Sequence, residues 1–213
     1  MISPLLANLY LHLLDRIWER HHLEERYQTR LVRYADDLVI CCRRDIGAPL
    51  ATLRAVLGRL EIELNERKTR KVDAYHEPFD FLGFSFRMRR SRRSGKCYPH
   101  VEPSKRSIKR IKDRVSEMTN RRRTPVPLSV LTGELNQTLR GWSQDFHYRN
   151  SSGAFSAIKM HVEECMRTQL RRRHKLRSRA QGHHYFPGPV IYERIGLYKL
   201  PTTAGWRRAH ALV

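Results

Sequence analysis

The sequence has no long apolar run and no paired-cysteine motif. No stretch approaches the roughly 20 consecutive apolar residues of a transmembrane helix, so we expect no membrane span. The four cysteines, Cys41, Cys42, Cys97 and Cys165, form no CxxC pair and show no zinc-finger spacing to histidine. We therefore expect neither a disulfide framework nor a structural zinc site, and a reducing cytoplasm as the location.

Acidic residues are scarce only in the second part of the chain. Residues 1–86 hold 13 basic and 13 acidic side chains, so residues 87–213 hold the other 29 of the 42 basic and 8 of the 21 acidic ones. The whole net charge of +21 therefore lies in the second part. Such a surplus indicates a polyanionic partner, usually nucleic acid and less often an anionic membrane surface.

Hydrophobic periodicity predicts an α+β segment followed by a helical one. Apolar residues at helical spacing predict helices near 4–22 and 48–60. Two short apolar runs on either side of Asp36-Asp37 predict a hairpin, and the alternating aromatic residues of 79–88 predict strands. Three amphipathic helices are then predicted between 104 and 180, where they would form a small bundle.

Two adjacent carboxylates, Asp36 and Asp37, interrupt the predicted hairpin in "RYADDLVI". Within a strand, neighbouring side chains point to opposite faces, whereas at a tight turn both can reach one ligand. A few carboxylates, completed by waters and substrate phosphates, suit Mg²⁺. Nucleotidyl transfer commonly uses two such metals about 3.5–4 Å apart. The alternative is that the pair marks only a polar turn, because Asp favours turns.

Five segments, in this order, resemble motifs of the reverse transcriptases and maturases that group II introns encode. "ISPLLANLYLHLLD" (2–15) resembles a helix of the polymerase palm, and "YADD" (34–37) resembles the polymerase signature. "ELNERKT" (63–69) is similar to the strand-and-lysine motif, and "FDFLGFSFR" (79–87) to the primer grip. "LRGWSQDF" (139–146) is similar to part of the maturase-specific domain.

The resemblance implies an α+β fold with two parts. The first is the C-terminal part of a polymerase palm, in which a small antiparallel sheet with the YADD hairpin packs against two helices. The second is an all-α thumb, or maturase-specific domain, of three helices. The implied segments are a partial palm at 1–88, a basic connector at 89–103, the helical domain at 104–180 and an irregular extension at 181–213.

The resemblance also implies a function. A protein of this family is an RNA-directed DNA polymerase that binds intron RNA and a template–primer duplex and assists intron splicing and mobility. The alternative is a non-catalytic basic RNA-binding factor, or a relic without polymerase activity. In the family the fingers and a further metal-binding aspartate precede the palm helix. The sequence contains neither, so we expect the chain alone to be inactive and to need a complementary N-terminal fragment.

Individual residues receive roles from the same resemblance. Asp36 and Asp37 would be the catalytic carboxylates and the ligands of Mg²⁺. Lys68 could instead be an ordinary solvated charge, and Trp142 and Phe146 are expected in the helical core rather than as stacking platforms for RNA. The other implied site residues are Tyr34, Ala35 and Lys68 near the incoming nucleotide, Phe81, Leu82 and Gly83 in the primer grip, and Lys105, Arg106, Lys109, Arg110, Lys112, Arg171, Arg172 and Arg173 on RNA.

Overall fold

A computed structural model describes residues 3–203, with side chains from Asn8 onward. The chain forms two compact units, divided between Val72 and Asp73. The helices are α1 (Ser3–Arg20), α2 (Leu23–Tyr27), α3 (Gly47–Arg59), α4 (Lys105–Met118), α5 (Leu128–Phe146), α6 (Ser152–Arg173) and α7 (Arg179–Tyr185). The strands are β1 (Thr29–Tyr34), β2 (Asp37–Cys42), β3 (Phe79–Phe81), β4 (Phe84–Arg90) and β5 (Cys97–Pro103).

The first unit packs a two-stranded hairpin against helices. Strands β1 and β2 pair antiparallel, with Leu31 opposite Ile40. Both of these residues face a core formed by α1, α2 and α3, whose helices present an apolar stripe at helical spacing. The helices predicted near 4–22 and 48–60 are confirmed as α1 and α3. The buried core residues of this unit are Leu11, Leu14, Trp18, Leu23, Leu50, Leu53, Val56 and Leu57.

The second unit contains a separate antiparallel sheet in the order β3-β4-β5. Phe81 lies opposite Phe84 and Phe86 opposite Val101. The α+β class is therefore confirmed. Strand β3 pairs with β4 and β4 pairs with β5, so the strands of the predicted primer grip form a sheet separate from the YADD hairpin. The compact units divide between Val72 and Asp73, before β3, and the predicted end of the palm segment at residue 88 lies inside β4.

The segment 89–103, expected to be a connector, is largely β-strand. Strand β4 extends to Arg90 and strand β5 runs from Cys97 to Pro103. Strand β5 shows no clear strand pattern in the sequence, because it contains two prolines and only His100, Val101 and Pro103 of its residues are buried. Its prolines are tolerated because β5 is an edge strand, where a missing N–H breaks no ladder on the open side.

The three predicted helices of the second unit are confirmed as α4, α5 and α6, and they share one core. Trp142 and Phe146 pack against this core, as expected, with their ring centroids 4.8 Å apart. The buried core residues contributed by these three helices are Ile111, Val115, Met118, Leu131, Leu135, Leu139, Phe155, Ile158, Val162, Met166 and Leu170.

The tail after residue 180 was expected to be irregular, and the structure corrects this. Helix α7 continues to Tyr185, and a π-helical turn covers Val190–Arg194. Ile191, Leu197 and Leu200 are buried in the core of the helical bundle. These apolar residues are spaced too irregularly to give a helical or strand pattern in the sequence, which explains the error. Residues 204–213 of the expected extension lie outside the described part.

Polar contacts fasten this tail to the bundle. The Asn136 side chain on α5 donates to the Gly196 carbonyl at 2.8 Å and accepts from the Tyr198 amide at 2.6 Å. On α6, Glu163 accepts from the Tyr192 hydroxyl and from Arg167. Burial alone would raise the pKa of Glu163, but these hydrogen bonds outweigh it and lower the pKa, so the carboxylate stays ionised. The tail is therefore part of the folded domain.

We expect replacement of Ile191 by alanine to destabilise the second unit by about 2–5 kcal/mol, because it removes a fully buried side chain and leaves a cavity. The matched control is Val130→Ala on the exposed side of α5, which should cost less than about 0.5 kcal/mol. Denaturant unfolding of both variants measures the two losses. Equal losses would mean that the tail is not part of the core.

Candidate catalytic turn and nucleic-acid interface

The two carboxylates lie at the tip of the first unit's hairpin. Strand β1 ends at Tyr34 and β2 begins at Asp37, which face each other as the closing pair, so the turn consists of Ala35 and Asp36. Of these two turn residues only Ala35 has a positive φ, at 52°, the pattern of a type II′ turn. Because Asp36 lies in the turn, strand alternation does not force the two carboxylates onto opposite faces. Both are exposed.

One arginine holds this turn against α1. The Nε of Arg33 donates to both carboxylate oxygens of Asp15 at 3.0 Å. Its Nη1 donates to the Asn8 side chain at 3.0 Å and to the Ala35 carbonyl at 3.1 Å. The guanidinium side chain is only 16% exposed, and its hydrogen bond to Asp15 raises the pKa of Arg33 further above its usual value. Arg33 therefore links the backbone of the turn to two positions on α1.

The carboxylate turn carries two side chains whose oxygen atoms are of the kind that Mg²⁺ prefers. Two carboxylates with room for water and phosphate oxygens suit the oxygen preference of Mg²⁺. Within residues 3–203 the structure forms no group of three or more His, Cys, Asp or Glu side chains that could hold a metal ion. Asp36 and Asp37 thus fit Mg²⁺ as two ligands of a site that further oxygen ligands would complete.

The residues predicted to lie near the nucleotide fall into two places. Tyr34 and Ala35 belong to the carboxylate hairpin, and the Tyr34 side chain is exposed. Lys68 lies on an exposed turn of the same unit, where its amide donates to the Asn65 carbonyl at 2.9 Å. Residues 61–78 contain no strand, so the likeness of "ELNERKT" to a strand-and-lysine motif does not extend to its secondary structure.

The predicted primer-grip residues form the turn of the second unit's first hairpin. Phe81 ends β3, Phe84 begins β4, and Leu82 and Gly83 connect them with positive φ values of 50° and 82°. Positive φ at both positions is the pattern of a type I′ turn. Phe81 is half-buried, whereas Leu82 is exposed at the tip. The Gly83 carbonyl accepts hydrogen bonds from the start of α4.

The basic residues predicted to bind RNA differ in their availability. On α4, Lys105, Arg106, Lys109 and Arg110 are exposed, while Lys112 is half-buried. Lys109 lies 3.9 Å from Asp113 on the same helix, a spacing that leaves the lysine largely in water. Because few acids balance them, these four side chains form a positive helix face, which we call the α4 basic face.

The arginines at the end of α6 are partly engaged with the protein itself. Arg173 donates through Nη2 to the Val126 carbonyl at 2.6 Å, and Arg172 approaches the Thr119 carbonyl at 3.4 Å. These contacts hold the loop that follows α4, and on this loop Arg121 and Arg122 are exposed. The run "RRR" at 121–123 is the signal in the sequence for this exposed pair, which lies outside the predicted RNA-binding set.

Two protein families match different parts of the chain. Residues 1–86 match the family described as reverse transcriptase (RNA-dependent DNA polymerase). Residues 108–186 match the family described as group II intron, maturase-specific domain. No curated protein matches the chain. The match over residues 1–86, which include the hairpin with Asp36 and Asp37, assigns the chain to the RNA-directed DNA polymerase class. With both family matches in this order, the chain belongs to the group II intron reverse transcriptase and maturase family.

In the described part of the chain, no helix combines the length and apolar character needed to cross a membrane. All four cysteines are free thiols.

We expect Arg33→Met to lower the free energy of unfolding of the first unit by about 1–3 kcal/mol, because it leaves Asp15 and the Ala35 carbonyl without their main donor. The matched control is Arg30→Met, three residues earlier on the same strand. Arg30 pairs with Glu24, but its side chain is 76% exposed, so its loss should cost less than about 1 kcal/mol. Urea denaturation measures both. Equal costs would contradict the role given to Arg33.

Proposed function

We propose that Asp36 and Asp37 are the catalytic carboxylates of an RNA-directed DNA polymerase and that both contribute oxygen ligands to Mg²⁺. The observation that carries this proposal is the hairpin turn that exposes both carboxylates while Arg33 holds its backbone. Bound Mg²⁺ would activate the primer hydroxyl and neutralise the charge on the triphosphate. Other residues of the chain position the two carboxylates.

The positioning follows from the hydrogen bonds around Arg33. Its guanidinium fixes the Ala35 carbonyl relative to Asp15, so the residue that follows, Asp36, starts from a defined backbone position. The strained positive φ of Ala35 is held by these contacts and by the Tyr34–Asp37 closing pair. A carboxylate placed in advance loses less conformational entropy when metal and nucleotide bind.

We further propose that the polymerase site is completed by carboxylate from another polypeptide segment. Two-metal transfer needs ligands for two ions, and residues 3–203 bring no third candidate ligand into a cluster with these aspartates. A complementary N-terminal reverse transcriptase fragment would meet this need. Its docking would bring the missing ligand to the exposed side of the carboxylate turn.

The second unit is proposed to bind intron RNA and the template–primer duplex. The α4 basic face supplies four exposed cations, and exposed Arg121, Arg122 and Arg172 extend the set at the other end of the helix. Cations of this kind contact phosphates and position the nucleic acid without reading its sequence. A preference for intron RNA would come from RNA shape and from unstacked bases. These contacts would support splicing and mobility of the intron.

A second candidate function is RNA binding without polymerisation. The basic surface lies in the second compact unit, whereas the two proposed catalytic aspartates lie in the first. The helical domain could therefore assist folding of an intron RNA whether or not the carboxylate site is active. Separate tests of catalysis and of RNA binding distinguish the two functions.

We expect the purified 213-residue chain to show no primer extension on an RNA template in Mg²⁺, because its two carboxylates need a further ligand. Addition of a complementary fragment that carries the missing carboxylate should restore incorporation, and Asp36→Asn should abolish it again. Incorporation of labelled deoxynucleotides is the measurement. Robust activity of the isolated chain that depends on Asp36 would contradict the proposed need for a partner.

We expect RNA affinity to fall steeply with salt, because phosphate contacts release counterions. Changing Lys105, Arg106, Lys109 and Arg110 to alanine in the full chain should weaken binding and reduce the slope of log K against log salt by up to about 4. The charge-matched control changes four exposed arginines of the first unit, Arg16, Arg20, Arg43 and Arg44. If both variants lose the same slope, the α4 basic face is not the RNA surface.

A further inference from the structure

We infer that the helical domain positions the primer-grip turn, and that Ser107 is the positioning residue. The inference rests on the proposed function, because it takes the turn formed by Leu82 and Gly83 as a primer contact. Both the turn and the helix that holds it belong to the second compact unit. Gly83 lies inside the reverse transcriptase match, which ends at residue 86, whereas Ser107 directly precedes the maturase match, which begins at residue 108.

The carbonyl of Gly83 is held by two donors at the start of α4. The Ser104 amide donates to it at 2.8 Å, and the Ser107 hydroxyl donates to it at 2.9 Å. Ser104 is also the N-cap of α4, since its side chain accepts from the Ser107 amide at 3.1 Å. The cap that begins the helix and the turn that presents Leu82 therefore share one set of hydrogen bonds.

The aromatic end of α5 closes the other side of the turn. A Cβ on Gly83 would lie 3.1 Å from Cζ of Phe146 and 3.0 Å from the Ser107 hydroxyl, so a side chain here would displace one of them. The Phe146 ring also packs against Phe84, at 5.1 Å between centroids, and is stacked by Trp142. Glycine at position 83 therefore meets two requirements: it leaves room for the close contact with Ser107 and Phe146, and it adopts a φ of 82° without strain.

This packing explains how Leu82 keeps an uncommon backbone conformation. A leucine at a φ of 50° is strained, and such residues persist where the surroundings hold them in place. The holding contacts come from α4, the helix that also carries the α4 basic face. Nucleic acid bound on that face and a primer end at Leu82 would therefore be held at a fixed separation by one rigid element.

The test uses the full chain and a template–primer duplex that carries 4-thiothymidine at the primer 3′ end. Two quantities are measured for each variant: the overall affinity for the duplex, and the yield of the photo-crosslink to the peptide that contains Leu82. Ser107→Ala should lower the crosslink yield about fivefold, the equivalent of one neutral hydrogen bond, while the affinity stays within about twofold. Ser107→Thr, which keeps the hydroxyl, should restore the yield.

The matched control is Ser129→Ala on the exposed side of α5, which should change neither quantity. Amide hydrogen exchange of Leu82 to Phe84 in the free protein gives a second measurement, and Ser107→Ala should accelerate it. The inference is overturned if Ser107→Ala keeps the normal yield and exchange, or if yield and affinity fall together as in a general loss of structure. If the unmodified chain binds the duplex but gives no crosslink at Leu82, the primer-contact assignment fails, and the inference fails with it. Exchange would still show whether Ser107 holds the turn.

Discussion

The hydrogen bonds of Arg33 are the interaction on which the candidate active site depends. A two-residue hairpin turn exposes its residues to water. The sequence Ala35-Asp36 does not favour one turn geometry, whereas an Asn-Gly pair would favour a type I′ turn. Arg33 compensates by binding the Ala35 carbonyl and, through Asp15, the adjacent helix. An arginine suits this task better than a lysine because its planar group presents several donors in a fixed arrangement. The carboxylates then project from a defined backbone.

The second structural constraint is that the reverse transcriptase segment does not end as an independent unit. Strand β3 pairs with β4 and β4 pairs with β5, and β5 leads directly into α4 through Ser104. The apolar side of this sheet and the Gly83 turn are completed by Phe146 from α5. The last strands of the reverse transcriptase match are therefore joined to α4 and α5 by packing and hydrogen bonds, and not by a free connector.

The sequence alone predicts those helices and strands whose apolar pattern is regular or whose residues have distinctive chemistry. Helices α1, α3, α4, α5 and α6 follow from apolar spacing, and the hairpin at Asp36 follows from two apolar runs around a polar pair. Strand β5 could not be predicted because two prolines and charged neighbours mask an edge strand with few buried residues.

The contacts that place the candidate site residues were also beyond sequence patterns. The pairing of Arg33 with Asp15 joins positions 18 residues apart in sequence, and the bonding of Gly83 to Ser107 joins positions 24 apart. Neither pair has a local signature, since each depends on tertiary packing. Similarly, Arg171, Arg172 and Arg173 look alike in the sequence. Only the structure shows that the guanidinium of Arg173 binds the Val126 carbonyl.

The most direct test of the central claim, that Asp36 and Asp37 form a metal-binding turn, is a titration of the full chain with Mn²⁺ followed by NMR. Mn²⁺ takes the oxygen ligands that Mg²⁺ takes, and it broadens the signals of nearby amides. The account predicts selective broadening of the amides from Tyr34 to Leu38 at low Mn²⁺ concentration, and loss of this effect in Asp36→Asn with Asp37→Asn. Broadening that is absent from the turn, or unchanged in the double variant, would contradict the account.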